Sequence, residues 1–239
     1  LYKSNPDQYG EQFLADYQKA AGLLDAIAAK GGKNATHATS QKAYVDRLYA
    51  ASGAADCGQM DQMYASVVAE SANDIEKLGS IMKLYRRLGC TESDVYFAAA
   101  ENAHKLQPTS ESAAGCAQMC IKKEDYAGAV EYYKQALTMV DNEEDKADYL
   151  YRMANVYVAM KNYQQGAAVA QQALDVNAED GRCYLLLGIC YASAKIYDDP
   201  ILARSVFWVA CDMFRKAKAV DSSCSSDANK LIATYSQYF

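Results

Sequence analysis

Proline is scarce, with three residues in 239. A chain so poor in the residue that interrupts helices can stay helical over most of its length. Runs of β-branched residues with period-2 alternation are missing as well, which argues against a sheet. No apolar stretch is long: the longest uncharged one, Cys183–Ala194, has about twelve residues, and a membrane-spanning helix needs roughly 20. Basic residues do not gather. The densest group, Lys83, Arg86 and Arg87, is too small to be the footprint of a nucleic acid. Histidine occurs twice, as His37 and His104. Any Ser–His–Asp or Cys–His constellation would have to use one of them. The sequence has no nucleophile elbow, no glycine-rich phosphate loop, no H-E-x-x-H and no close C-x2-C pair. These absences point away from an enzyme, a metal site and a cofactor.

What remains is a helix-forming composition. Apolar residues make up 51% of the chain, and alanine, leucine, lysine, glutamine and glutamate recur throughout. The net charge of −6 is spread out, with 13 acidic and 11 basic residues up to Thr109 and 17 and 13 after it. The chain begins at Leu1 rather than Met, as a fragment or a processed form would. Pro6 suits a first helical turn. From Asp7 to Lys30, Phe13, Leu14, Tyr17, Ala20, Ala21, Leu24 and Ile27 recur at three- and four-residue spacing and predict one amphipathic helix, stopped by Gly31-Gly32. A loop carrying the glycosylation sequon Asn34-Ala35-Thr36 and His37 follows. The next helices are predicted over Ala38–Ala51, over a segment capped by Asp56 and ending near Glu70, over one capped by Asn73 and stopped by Gly89, and over one closing at Leu106 before Pro108.

From Ser110 a repeat becomes readable. Tyr184, Leu187, Gly188 and Tyr191 stand at the spacing W-x2-L-G-x2-Y, with Tyr for Trp. The small-residue position falls on Ala117, Ala154 and Gly188, separated by 37 and 34 residues. An aromatic opening the second helix falls on Tyr126, Tyr163 and Tyr197, again 37 and 34 apart. Two landmarks drifting together by the same three residues place the extra length near Asp141–Asp145. The A-x3-F position reads Ala129 and Tyr133, Gly166 and Ala170, then Ala210 and Phe214, the last pair ten residues late. Asp199-Pro200 therefore opens an extended helix running to Val220, about 30 Å long. Asp227–Tyr238, with Leu231, Ile232 and Tyr235 on one face, reads as a terminal capping helix.

These spacings resemble the tetratricopeptide repeat, a helix–turn–helix unit of about 34 residues. The resemblance implies an all-α, right-handed superhelix of about five helical hairpins plus a C-terminal cap. Residues 1–109 would form degenerate hairpins, and 110–239 three units (about 110–143, 144–178 and 180–222) closed by a capping helix over 225–238, in one continuous solenoid. It also implies a non-enzymatic scaffold whose concave groove binds a protein or peptide segment, with no nucleic acid and no transmembrane segment. Carried over by phase, the groove-facing residues are Gln118 and Ile121, then Tyr151, Asn155 and Val158, then Arg182, Leu185 and Ile189. Glu111, Ala114, Asp148 and Ala192 share that face. Family members that clamp a C-terminal carboxylate need basic residues where Tyr151, Leu185 and Ile189 stand, and only Asn155 matches that pattern. Segments 52–57, 87–90 and 216–239 further resemble bacterial secreted or periplasmic repeat proteins, which implies a periplasmic or envelope location, the alternative being cytoplasmic. An envelope nutrient- or glycan-binding protein built on the same units, with surface tyrosines as sugar-stacking platforms, is the rival function.

Eight cysteines and twenty tyrosines remain. Cys116, Cys120, Cys183, Cys190 and Cys211 fall inside predicted helices, where buried cysteine acts as a small hydrophobe. Cys57 and Cys90, 33 residues apart at loop–helix junctions, occupy similar places in successive hairpins. They are candidates for a disulfide, which requires Cα atoms within about 7 Å and implies an oxidising compartment. Most tyrosines, Tyr126, Tyr157, Tyr163 and Tyr191 among them, suit inter-helix packing. Tyr44, Tyr49, Tyr64 and Tyr151 are surplus and suit a recognition surface, as does Trp208.

Overall fold

The computed structural model describes residues 6–52, 54, 56–194 and 199–238. Among these the chain forms twelve α-helices and no strand, the all-α architecture expected. The predicted aromatic at Tyr197 lies outside the described residues. The chain divides into two compact units, Leu1–Leu106 and Gln107–Phe239.

The first unit holds α1 (Pro6–Ala29), α2 (Lys33–Ser52), α3 (Cys57–Glu70), α4 (Ile75–Arg87) and α5 (Asp94–Leu106). Gly31 and Gly32 both take positive φ, +68° and +80°, a conformation cheap only for glycine. That turn reverses the chain in so few residues that α2 starts at Lys33, not Ala38. The sequon and His37, expected in a loop, therefore lie in the first turns of a helix. Asp56 caps α3 through a full capping box with Gln59. Asp74, not Asn73, caps α4, its Oδ1 accepting the Lys77 amide at 3.0 Å. Gly89, at φ +72°, closes α4 with the Cys90 amide bonded to the Tyr85 carbonyl at 2.9 Å.

Packing in this unit relies on aromatic rings and long-range polar bonds. Tyr17 stacks on Tyr49 with ring centroids 4.0 Å apart, and Tyr85 meets Tyr64 edge-on at 6.1 Å. The hydroxyls of Tyr85 and Ser93 both donate to Asp61 Oδ1. A disulfide joins Cys57 to Cys90 with Cα atoms 5.3 Å apart. It links the first residue of α3 to the turn before α5.

The second unit holds α6 (Ser110–Lys122), α7 (Tyr126–Met139), α8 (Glu143–Ala159), α9 (Tyr163–Val176), α10 (Gly181–Ser193), α11 (Pro200–Val220) and α12 (Ser225–Tyr235). Three antiparallel hairpins, α6–α7, α8–α9 and α10–α11, stack in order, and α12 packs on α11. The turn within the first two hairpins is the same structure repeated. Glu124 and Lys161 take φ of +60° and +59°. The amides of Asp125 and Asn162 bond back to the carbonyls of Cys120 and Tyr157, both at 2.8 Å, and each then caps the helix it opens.

Small residues let the paired helices approach. Ala117 and Ala154 are fully buried, and a Cβ added at Gly188 would sit 2.3 Å from the Phe214 ring. Tyr133 and Phe214 are fully buried beside those contacts, the Phe214 ring contributing about 2 kcal/mol through the apolar area it removes from water. The six cysteines outside the disulfide are all buried.

Candidate functional site

The first helices of the three hairpins, α6, α8 and α10, carry every residue that the repeat phase assigns to the groove. Their helical phase places side chains three and four residues apart on one face. Gln118 and Ile121 are half-buried on α6, Tyr151, Asn155 and Val158 half-buried on α8, and Leu185 and Ile189 half-buried on α10, where Arg182 is exposed.

The structure sorts these residues into two groups. Ile121, Val158 and Leu185 pack against the main core of the unit. Leu185 and Ile189, with Ala192, also lean on a second cluster formed by Ala210, Cys211, Phe214 and Ala228. Much of the apolar surface on α10 is therefore shared with α11 and α12.

The polar group is brought together around Arg182. Asp180 caps α10, its Oδ1 accepting the Arg182 amide at 3.0 Å. The same carboxylate takes the guanidinium in a two-point grip, from Nε at 3.0 Å and from Nη2 at 2.7 Å. Asp148 of α8 stands 3.7 Å from Nη1 and accepts from Arg152 Nε at 2.6 Å. The guanidinium lies over the Tyr151 ring, 4.4 Å from its centroid. One turn along α8, Asn155 Nδ2 donates to the Tyr151 carbonyl at 2.9 Å. The hydrogen bonds that the guanidinium donates to Asp180 raise the Arg182 pKa far above its ordinary value, and Asp148 adds to this.

Asp180 is only 8% exposed, so the pair at the start of α10 contributes to stability: without Arg182 a buried carboxylate would lose its counter-ion. The pair also fixes orientation. The two-point grip holds a long, flexible side chain flat against a ring, so a ligand meeting that surface does not have to order it. Arg152 and Asp180 are the two members that the repeat phase does not point to. Arg152 is signalled by its position four residues after Asp148, and Asp180 by its place before a helix start.

The buried thiols are poor nucleophiles. Burial pushes the Cys183 thiol up to about 12, with Asp180 adding to the shift, and pushes Cys190 up to about 11. The thiolate, which does the chemistry, is then rare at neutral pH. Among the described residues no three His, Cys, Asp or Glu side chains are grouped to hold a metal ion. No helix there is long and apolar enough to cross a membrane.

Residues 112–147 match the family model for the tetratricopeptide repeat. The chain is 30% identical over 67 residues to the photosystem I assembly protein Ycf3 of Prochlorococcus marinus, strains NATL1A and NATL2A. That stretch is 28% of this chain and 39% of the relative, so the chain spans about two fifths of the length of the curated relatives it matches. Among solved structures it is similar to MamA, with a TM-score of 0.54 and 17% identity over 71% of this chain and 92% of that one. It is also similar to the APC/C hetero-tetramer Cut9-Hcn1, with a TM-score of 0.56 and 14% identity over 98% of this chain and 50% of that one. At these identities the likeness speaks to fold.

Proposed function

We propose that this chain, a tetratricopeptide repeat protein by its matched repeat and its fold, is a non-enzymatic scaffold that binds a protein or peptide segment on the α6–α8–α10 face. The observation that carries this reading is the cluster in which Asp180 and Asp148 hold Arg182 over Tyr151 at 4.4 Å. Tyrosine and arginine are the residue types that concentrate binding energy at interfaces, and here both are held in place before any partner arrives. Asn155, bonded to the Tyr151 carbonyl, borders the cluster as a polar group for an extended backbone. Arg152 and Arg182 are both already occupied by carboxylates. The favoured ligand is accordingly a segment with an aromatic or aliphatic side chain that stacks at Tyr151, not one clamped by a terminal carboxylate.

The same reading places the protein in an oxidising compartment, periplasmic or secreted. The Cys57–Cys90 bond supports this, since disulfides persist where thiols are not kept reduced. The six remaining cysteines are buried and so protected from mispairing.

The test is a peptide selected from a random display library on the intact protein, followed by fluorescence anisotropy against the wild type and the Tyr151→Ala/Arg182→Ala double variant. Circular dichroism of both proteins controls for folding. The expected result is a loss of affinity of about tenfold or more in the variant, as removal of an aromatic–arginine anchor gives. Peptides that bind both proteins equally would move the binding surface off this face.

A further inference from the structure

The first unit contains a cleft of about 530 Å³ between α2, α3 and α4, within the size range that holds small ligands. Its floor is apolar: Met63 and Val67 come from α3, Ile81 and Leu84 from α4. Its rim is not. Arg47 of α2 and Lys77 of α4 both line the opening, and neither forms an ion pair with a carboxylate among the described residues.

The acids nearby are mostly committed. Asp46 accepts from the Tyr17 hydroxyl and from Lys42, each at 3.0 Å. Asp74 is used as the cap of α4. Glu76 is the one rim acid left over, and it sits in the first turn of α4, where the helix dipole favours it.

A second observation points the same way. Tyr64, only 8% exposed, lines the cleft with a hydroxyl that has no hydrogen-bond partner among the described residues. A ligand oxygen in the cleft would give that hydroxyl a partner.

We infer that this cleft is a binding site for a small amphipathic acid: an apolar body on Met63, Val67, Ile81 and Leu84, and an anionic head met by Arg47, Lys77 and the Tyr64 hydroxyl. Two cations without a carboxylate partner above an apolar floor are complementary to that chemistry. An uncharged apolar molecule would leave both cations unused. A fully polar anion would gain nothing from the floor.

The experiment is isothermal titration of the full chain with decanoate and, separately, with decanol, which has the same chain length and no charge. Decanoate is expected to bind saturably at one site and at least about tenfold more tightly than decanol. The Arg47→Ala/Lys77→Ala variant changes exposed side chains only, and decanoate affinity should fall to the level of decanol. Tyr64→Phe should weaken decanoate by severalfold. Val67→Trp, which fills the floor, should abolish both. The Tyr151→Ala/Arg182→Ala variant, altered in the other unit, should leave decanoate binding unchanged. Equal affinity for the two probes, saturation unaffected by Val67→Trp, or no saturable binding of decanoate to a protein folded by circular dichroism would each overturn the assignment. So would tight binding of a peptide ending in an apolar residue with a free carboxylate where decanoate fails, since the occupant would then be a chain terminus.

Discussion

The two units solve one packing problem with different chemistry. The second repeats a local recipe: a small residue at the helix crossing, a large ring beside it, and a turn in which one residue takes positive φ and the next caps the following helix. Glu124-Asp125 and Lys161-Asn162 build that turn 37 residues apart with nearly the same dihedral angle and hydrogen bonds. The first unit has no such internal copy. Its helices are joined by pairings particular to each place: Tyr17 with Asp46, Tyr49 with Gln59, Tyr85 and Ser93 with Asp61, and Cys57 with Cys90. A repeated interface needs only small and large residues in register. An interface that has lost the repeat must be specified bond by bond.

Four changes probe that contrast. The largest effect is expected where one link spans most of an irregular region. Replacing Cys57 and Cys90 by Ala removes a cross-link that closes a loop of 33 residues and should cost about 4 kcal/mol in loop-closure entropy. Urea denaturation of the reduced and oxidised forms and of the double variant measures it, and a loss below about 1 kcal/mol would mean that the aromatic and polar pairings suffice. In the regular unit the weak point is steric. Gly188→Val drives two methyl groups into the fully buried Phe214 ring and should cost about 3 kcal/mol, read as a fall in urea midpoint. A tolerated valine would show that the small-residue rule is loose here.

Third comes Asp61→Ala, which strips the acceptor from the Tyr85 and Ser93 hydroxyls. With Tyr85 fully buried, about 2 kcal/mol should be lost. Recovery of that loss by a second change, Tyr85→Phe, would identify the unbonded hydroxyl as its cause. The smallest effect has the opposite sign. Lys161→Gly at φ +59° relieves about 1 kcal/mol of left-handed strain and gives back part of it as chain entropy. The net gain should be about 0.5 kcal/mol, a rise of a few degrees at most in melting temperature.

How much of this was legible follows from the same contrast. Ala117, Ala154, Gly188 and the late Ala210–Phe214 pair could be placed from spacing because each landmark recurs, so one alignment error would have misplaced them all. The extended α11, starting at Pro200, was legible because the delay itself is a measurement. The start of α2 was not: composition shows Gly31-Gly32 as a stop but cannot tell how tightly two glycines turn. Nor was the cap of α4, since Asn73 and Asp74 are chemically interchangeable there and only backbone geometry chooses. At the candidate site, phase alone sets Tyr151 and Arg182 on neighbouring helices. The grip of Asp180 and the 4.4 Å ring contact depend on how α10 is entered, which no periodicity encodes. The unit 1 cleft was invisible because its lining comes from three helices with no common repeat.

The Cys57–Cys90 bond also determines how the chain would carry tension. Two Cα atoms 5.3 Å apart in space stand 33 positions apart in sequence. A pull applied at the two ends of the chain passes across the sulfur atoms and bypasses α3 and α4. Those helices are then mechanically short-circuited: they can lose their packing without lengthening the molecule. Reduction would release about 110 Å of hidden contour length, a step that a single-molecule stretching trace shows with a reductant present and lacks without one.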